Sequence, residues 1–363
     1  ALYNTPDFTL PPTRLSDGLA GLNPKDPFLG ATLRLWDPKV RPAISQQWNM
    51  AVEYQLPASN VLTVWYVGQH GTHLMVPMPY LQKQIVNGVV VPGPYLAGNP
   101  TLLRQITQVS GTASEGNQSY NALQALVRKR FSMGLEYQGG YTYSKGLTDA
   151  QGYYGSPGQA AGTGPYTQNI YNRRAEWGPT FFDNKHNLTG SFSYSMPFGH
   201  KRRFGANWNR WLDSGLGGWQ LAGIYSLRTG FPLTVRVTGD PSATGSRSVR
   251  ANVIGTPNDL HEVGVNKQYL DSKAYAVPGP RTFGNAGVGI VRGPGMKRLD
   301  VSLNKQFRVT EKKTFQLRLA AFNVTNTPIF QAPASMIITA PTFGQIRASQ
   351  SERNVQLIGK LYF

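Results

Sequence analysis

Cysteine is missing from all 363 residues, which removes disulfide frameworks and thiolate metal sites from the available chemistry. Charge is sparse: Asp, Glu, Lys and Arg make up 15% of the chain, against roughly 25% in an average soluble domain. No apolar run approaches the roughly 18 residues that a membrane-crossing helix requires. A mean hydropathy of -0.33 still leaves a membrane open, because a barrel strand is apolar only at every second position. The chain begins with Ala, and no charged n-region with an apolar core opens it, so a mature chain or a fragment is expected. Gly (40) and Pro (26) are plentiful, as in chains of many strands joined by long irregular loops. The excess of 36 Lys and Arg over 18 Asp and Glu, a net +18, first suggests nucleic acid. The basic residues form no single stripe interleaved with stacking aromatics, so no nucleic-acid partner is expected.

The last thirteen residues, Ser351 to Phe363, organise the rest. Val355, Leu357, Gly359, Leu361 and Phe363 fall on one face, and Asn354, Gln356, Ile358, Lys360 and Tyr362 on the other. That period of two marks a strand with one apolar face. The pattern recurs along the chain. Residues 45–56 set Trp48, Met50, Val52 and Tyr54 against Gln47, Asn49, Glu53 and Gln55, and 61–68 return with Leu62, Val64 and Tyr66. A second hairpin turns at Phe131–Gly134. Residues 187–196, 219–228, 299–307 and 315–321 follow, with Phe231 to Thr238 as a potential extension of 219–228. Residues 1–44 lack sustained periodicity and read as loop, as do the stretches near 69–118, 145–184, 229–296 and 322–350.

About nine strands of roughly 9–12 residues result, the length a tilted strand needs to cross a bilayer. Connectors alternate between short and long, whereas loops beyond about 15 residues are uncommon inside compact domains. Outer-membrane barrels separate loop lengths by side in this way. Trp48, Tyr54, Tyr141, Tyr143 and Trp219 fit interfacial girdles. The expected fold is an all-β, antiparallel transmembrane β-barrel segment of meandering strands with long extracellular loops. Its polar face lines a lumen, and its edges lack their native neighbours.

Few residues carry reactive chemistry. His70 and His73 are three apart, but no acidic third ligand stands beside them, so no metal site is expected. Asp183 and His186 have the composition of a catalytic pair, yet read more simply as a polar loop-to-strand junction. No Gly-rich loop joins a strand to a helix in the way that cradles phosphate, so no nucleotide cofactor is expected. Arg128, Lys129 and Arg130, then Lys201, Arg202 and Arg203, then Arg308, Lys312 and Lys313 sit at short turns. There they either contact anionic phospholipid head groups or keep hairpin tips solvated.

Several segments together resemble Oar-like TonB-dependent receptors, outer-membrane proteins with an N-terminal carboxypeptidase-regulatory-like domain. They are S-Q-Q-W-N-M-A-V-E-Y-Q-L-P (45–57), V-W-Y-V-G-Q-H-G-T-H-L (64–74), Y-N-A-L-Q-A-L-V-R-K-R-F-S-M-G-L (120–135), Y-T-Y-S-K (141–145), D-N-K-H (183–186), G-G-W-Q-L-A-G-I-Y-S-L-R-T-G-F-P (217–232), F-G-N-A-G (283–287), L-R-L-A-A-F-N-V-T-N (317–326) and the closing strand. The resemblance implies the C-terminal part of a barrel in the bacterial outer membrane with a periplasmic C-terminus. It implies outer-membrane lipid as surroundings, and a closing strand read by the barrel assembly machinery through Leu361 and Phe363. Coupling to TonB would run through an N-terminal region not in this chain.

Single-chain barrels have an even number of strands, so nine imply a C-terminal fragment, with 1–44 the remnant of an extracellular loop and 45–363 the barrel portion. The expected function is uptake of a scarce solute, without enzymatic activity and without cofactors. An adhesin-like barrel and an ungated porin are the alternatives. Ligand contact is expected on the long loops, above all 145–184 and 229–296. Tyr153, Tyr154, Tyr166 and Tyr171 accompany Gln159 and Gln168 in the first of these. Flat rings beside amides suit sugars or peptides; the same tyrosines would equally serve to pack the loop.

Overall fold

The computed structural model describes residues 31–96, 106–151, 167–200, 202–256, 262–308, 313–350 and 352–363. Nine strands form one antiparallel meander: β2 (Ile44–Leu56), β3 (Asn60–Pro79), β4 (Ile106–Ser132), β5 (Leu135–Thr148), β6 (His186–Ser195), β7 (Trp219–Arg228), β8 (Met296–Arg308), β9 (Thr314–Phe322) and β10 (Asn354–Tyr362). Each pairs with its predecessor in the chain. Among the described residues no pairing joins β2 to β10, so the sheet is open, as expected.

The alternation sorts side chains as expected. Trp48, Met50, Val52, Tyr54, Leu357 and Leu361 stand exposed on one face. Gln138, Ser191, Ser302 and Arg318 line a hollow on the other. Phe192, Leu221 and Leu317 are only half-buried, so no second sheet covers them. On this apolar face, aromatic rings fill the gaps that glycines leave between strands. A Cβ built on Gly190 would lie 2.5 Å from the Tyr225 ring, and one on Gly223 would lie 2.6 Å from Phe192. Gly190→Val is therefore expected to destabilise the sheet by about 1–3 kcal/mol through overpacking, read as a lower urea midpoint in vesicles. In a Tyr225→Ala background the same change should cost far less; an equal cost there would show that the ring is not what the valine meets.

The turns at one end are tight. Residues 57–59 join β2 to β3 with Ala58 and Ser59 at φ 58° and 62°. Met133 and Gly134, at φ 52° and 80°, join Ser132 to Leu135 in the two-residue geometry that suits the right-handed twist of a hairpin. Residues 196–218, between β6 and β7, are no simple turn: they carry a short helix, α1 (Arg210–Leu216).

At the other end the strands outrun a bilayer. At roughly 3.3 Å per residue, β4 extends about 90 Å and β3 about 65 Å, against about 30 Å of hydrocarbon. Two loop expectations and one strand extension are corrected here. First, residues 72–79 and 106–119 continue β3 and β4 through bulges near Gly71–Val76. Tyr80 N–H donates to Val109 O at 3.1 Å, so Pro77 and Pro79, of opposite parity, turn their missing donors towards the unpaired side. Second, β1 (Ala31–Trp36), within the expected loop 1–44, pairs in parallel with residues 106–112. It takes up hydrogen bonds that β4 leaves open beyond the reach of β5. Third, residues 231–238 do not extend β7. Pro232–Leu233 pairs with Val291–Arg292, and Gly230 lies so close against Gly293 O that no side chain fits between them.

The long connectors at this end pack into a layer with its own core. Val235, Val249, Leu270, Tyr275, Met336, Phe343 and Ile346 come from connectors 229–295 and 323–353 and are all buried. The loops are thus cross-braced rather than independent.

Candidate functional site

The polar face and the loop layer together offer the surfaces a solute would meet. Register builds the face in rows: Arg128, Gln138, Ser191, Ile224 and Asp300 are successive partners across β4 to β8. Among the hollows along it, two are built from several strands each. One, of about 470 Å³, is edged by Arg128, Glu136, Gln138, Asp300 and Arg318, so it carries charge of both signs. The other, of about 460 Å³, lies at the end of the strands that carries the long connectors and is lined by Gln69, Gln118, Tyr120, Gln124, Asn184 and Asn187. Its wall is rich in amides and hydroxyls, and the one carboxylate, Asp183, is engaged elsewhere. Phe182 borders it with a half-exposed ring, set edge-on to Phe181 at 4.9 Å. Thr180 Oγ1 and Asn184 Oδ1 border it too, buried and without a partner among the described residues. Such a hollow can exchange hydrogen bonds with an uncharged polar molecule and lay an apolar face against a ring.

Of the expected loop residues, Gln168 and Tyr171 are placed inside the layer. Gln168 is only 3% exposed. Its Nε2 donates to Gly284 O at 3.0 Å and its Oε1 accepts from Arg250 N–H at 2.6 Å. Its carbonyl accepts from Gln82 Nε2 at 2.7 Å and Ser246 Oγ at 2.8 Å. Tyr171 donates its hydroxyl to Gln82 O at 2.7 Å, lying over Gly93 where a side chain would collide. Both act as fasteners between distant segments. Tyr153, Tyr154, Gln159 and Tyr166 lie outside the described residues. Leu361 pairs with Phe315 at the end of β10, and Phe363 stands exposed beyond it, with Lys313 Nζ 5.6 Å from its ring.

Sequence reasoning missed the bracing itself. Arg250 is buried and donates to Glu176 Oε2 at 2.8 Å, Ala286 O at 2.7 Å and Ala175 O at 3.0 Å. Burial lowers the neighbouring Arg236 to about 10, with the Arg250 charge adding to the effect; the guanidinium therefore stays protonated at neutral pH. Burial likewise pushes the Tyr80 phenol up to about 12, with Asp37, Tyr95 and Glu115 adding, so it remains a neutral hydroxyl.

Asp183 and His186 do not face each other as a pair. The Asp183 carboxylate accepts from Gly146 N–H at 2.7 Å and pairs with Arg292. His186 Nδ1 shares a 2.7 Å hydrogen bond with the Tyr141 hydroxyl, beside the Tyr143 ring at 5.2 Å. Among the described residues no three His, Asp or Glu side chains gather into a metal-holding group.

Among solved structures, the chain is similar to the outer membrane transporter YddB from Escherichia coli, at 10% identity and a TM-score of 0.46, covering 92% of this chain and 34% of that one. It is similar to FpvA of Pseudomonas aeruginosa, at 11% identity and a TM-score of 0.42, covering 89% and 27%. It is also similar to the FrpB iron transporter from Neisseria meningitidis, at 13% identity and a TM-score of 0.41, covering 92% and 33%. The chain thus spans about a third or less of the length of these proteins. No curated protein matches it. The family model for the outer membrane beta barrel domain matches residues 1–356, nearly the whole of the sheet and loop layer described above, and the chain belongs to that family.

Proposed function

We propose that the chain is wall and loop layer of an outer-membrane receptor that imports an uncharged, hydroxyl- or amide-rich solute, with its long connectors outside the cell and its C-terminus periplasmic. One observation carries the proposal. The amide-lined hollow lies on the polar face beside residues 180–184 of a long connector, and its wall holds buried Thr180 Oγ1 and Asn184 Oδ1 with no partner among the described residues. Buried polar groups without partners are rare in proteins and favour a site that a ligand completes. Energy coupling through TonB, by way of a region outside this chain, rests on the sequence resemblance. Nothing in the proposal requires enzymatic chemistry or a cofactor.

The test uses linear gluco-oligosaccharides and uncharged tetrapeptides as probes, with the receptor purified from outer membranes. Gln124→Glu places a carboxylate in the hollow. It is expected to weaken binding of the responsive probe about tenfold or more, since one mismatched buried polar contact is worth on the order of 1–3 kcal/mol. Unchanged affinity would remove the hollow from the binding path. Uptake in cells should stop when an uncoupler collapses the proton gradient; uptake that continues identifies an ungated pore instead.

The loop expectation is tested by deleting only 152–166, which keeps Gln168 and Tyr171 in place. Normal assembly with uptake reduced tenfold or more is expected if Tyr153, Tyr154, Gln159 and Tyr166 touch solute. Normal assembly with unchanged uptake would take them out of the site.

A further inference from the structure

We propose that the connector 196–218 is a lipid-binding element. In this reading α1 and its flanking arginines seat on anionic phospholipid head groups at the short-turn mouth of the barrel, with Trp211, Leu212 and Leu216 entering the edge of the hydrocarbon. The inference depends on the chain being in a membrane and not on which solute it carries.

The side of the wall on which α1 sits follows from Lys305. This residue shares its face with Val301 and Leu303 and is the register partner of Trp219, so it belongs to the apolar, lipid-facing side. An ammonium there needs compensation, yet Lys305 is 3% exposed. Its Nζ donates to Gly217 O at 2.6 Å, Gly215 O at 3.0 Å and Asp213 O at 3.4 Å, the carbonyls that close the end of α1. Trp219 Nε1 donates to Gly215 O at 2.9 Å. Two residues of the lipid-facing wall therefore hold the C-terminal end of the helix against that face rather than over the lumen.

The rest of the helix is oriented to match. Asn209 Oδ1 accepts from Leu212 N–H at 2.8 Å and starts it. Asp213, the only acidic residue between 196 and 218, turns back to accept from His200 N–H at 2.5 Å. Trp211, roughly opposite on the helix, is 87% exposed, and Leu212 and Leu216, one turn apart, are exposed along the flank between them. Phe198 and Phe204 add two exposed rings 5.7 Å apart, with the Arg203 guanidinium 5.4 Å from the Phe204 centroid. Arg202, Arg203 and Arg210 are all exposed.

An apolar patch joined to the lipid belt, rimmed by cations and with its one carboxylate turned inward, has the composition of an interfacial amphipathic element. The continuity with the belt and the sign of the charge select an anionic leaflet as its occupant.

The protein has no cysteine, so Leu216→Cys gives a single attachment point for a nitroxide. The full receptor is reconstituted into phosphatidylcholine vesicles with and without a quarter phosphatidylglycerol. The expected result is a label shielded from a water-soluble nickel chelate and open to oxygen, unlike one at Ile254→Cys in the loop layer. Equal nickel access at both positions would overturn the proposal, as would shielding from both reagents, which indicates protein cover. Trp211→Cys repeats the measurement should Leu216→Cys disturb the helix. Spin-labelled phosphatidylglycerol should lose about fivefold in relative association for each arginine among Arg202, Arg203 and Arg210 changed to Gln. An unchanged preference in the triple variant would overturn the head-group assignment.

Discussion

Arg250→Met should loosen the loop layer while leaving the sheet in place. The guanidinium is 4% exposed and ties Glu176 and Ala175 on one side to Ala286 on the other, while the backbone N–H of Arg250, which methionine keeps, donates to Gln168 Oε1. Methionine fills similar space but leaves the Glu176 carboxylate buried, with the Gln168 N–H at 3.1 Å and the Arg236 charge still acting on it. Breaking a buried ion pair by removing one member costs about 3–5 kcal/mol, largely because the other charge stays behind. Local opening governs amide exchange, so amides in 167–177 and 246–251 should exchange faster by roughly two to three orders of magnitude. Amides in β6 to β9 should keep their protection. Adding Glu176→Gln should recover part of the loss, because the stranded charge is then gone. Unaltered exchange in both loop segments would show that the apolar core around Leu270 and Met336 holds the layer without the pair.

The same residues explain what a reader of the sequence can and cannot see. Strand β7 was legible to its last residue, 219 to 228, because one face alternates without a break: Trp219, Leu221, Gly223, Tyr225, Leu227. The pairing order was legible as well, since tight turns join neighbours and long connectors return to the same end. Strands β3 and β4 were read too short because bulges break their alternation and Pro77 and Pro79 look like strand breakers. Their harmlessness depends on which edge is unpaired, a fact of the sheet and not of the local sequence. Strand β1 is a run of only six residues whose partner lies more than seventy positions away.

The loop residues were harder still. Gln168 reads as an exposed amide among tyrosines, an apt ligand contact. In the structure its partners, Gln82, Arg250 and Gly284, come from two other connectors, and no periodicity links them. The only local hint is Gly284, where a Cβ would run into the Arg250 carbonyl; a glycine in F-G-N-A-G marks close approach without naming what approaches. The amide-rich hollow was half legible. Gln124 lies on a strand whose polar positions were expected to face a lumen, but Gln69 and Gln118 fell in a stretch expected as loop, and their meeting with Asn184 and Phe182 requires the fold.

Asp183→Ala is the second change expected to have a large effect, and it separates bracing from chemistry in the D-N-K-H segment. The carboxylate is 4% exposed. One oxygen accepts from Gly146 N–H near the end of β5, and the other pairs with Arg292. Arg292 also donates to the Asp183 carbonyl at 3.0 Å and to Gly230 O at 3.1 Å, so this cluster fastens connector 229–295 to the top of the sheet. Alanine leaves a buried N–H without an acceptor and a guanidinium without its carboxylate. Because Arg292 is partly exposed and can recruit water, the expected cost is about 2–4 kcal/mol, short of a fully buried pair. Asp183→Asn keeps an acceptor for Gly146 and should lose roughly half as much. His186→Ala removes only the hydrogen bond with Tyr141 and some ring packing, worth about 1 kcal/mol. Urea unfolding in vesicles, followed for the single and double variants, decides between two views of the segment. With the partners as described, the effects of Asp183→Asn and His186→Ala should add to within about 0.5 kcal/mol. A coupling above 1 kcal/mol would mean that the two side chains act on each other after all, and the assignment of Asp183 to a purely structural clamp would fall.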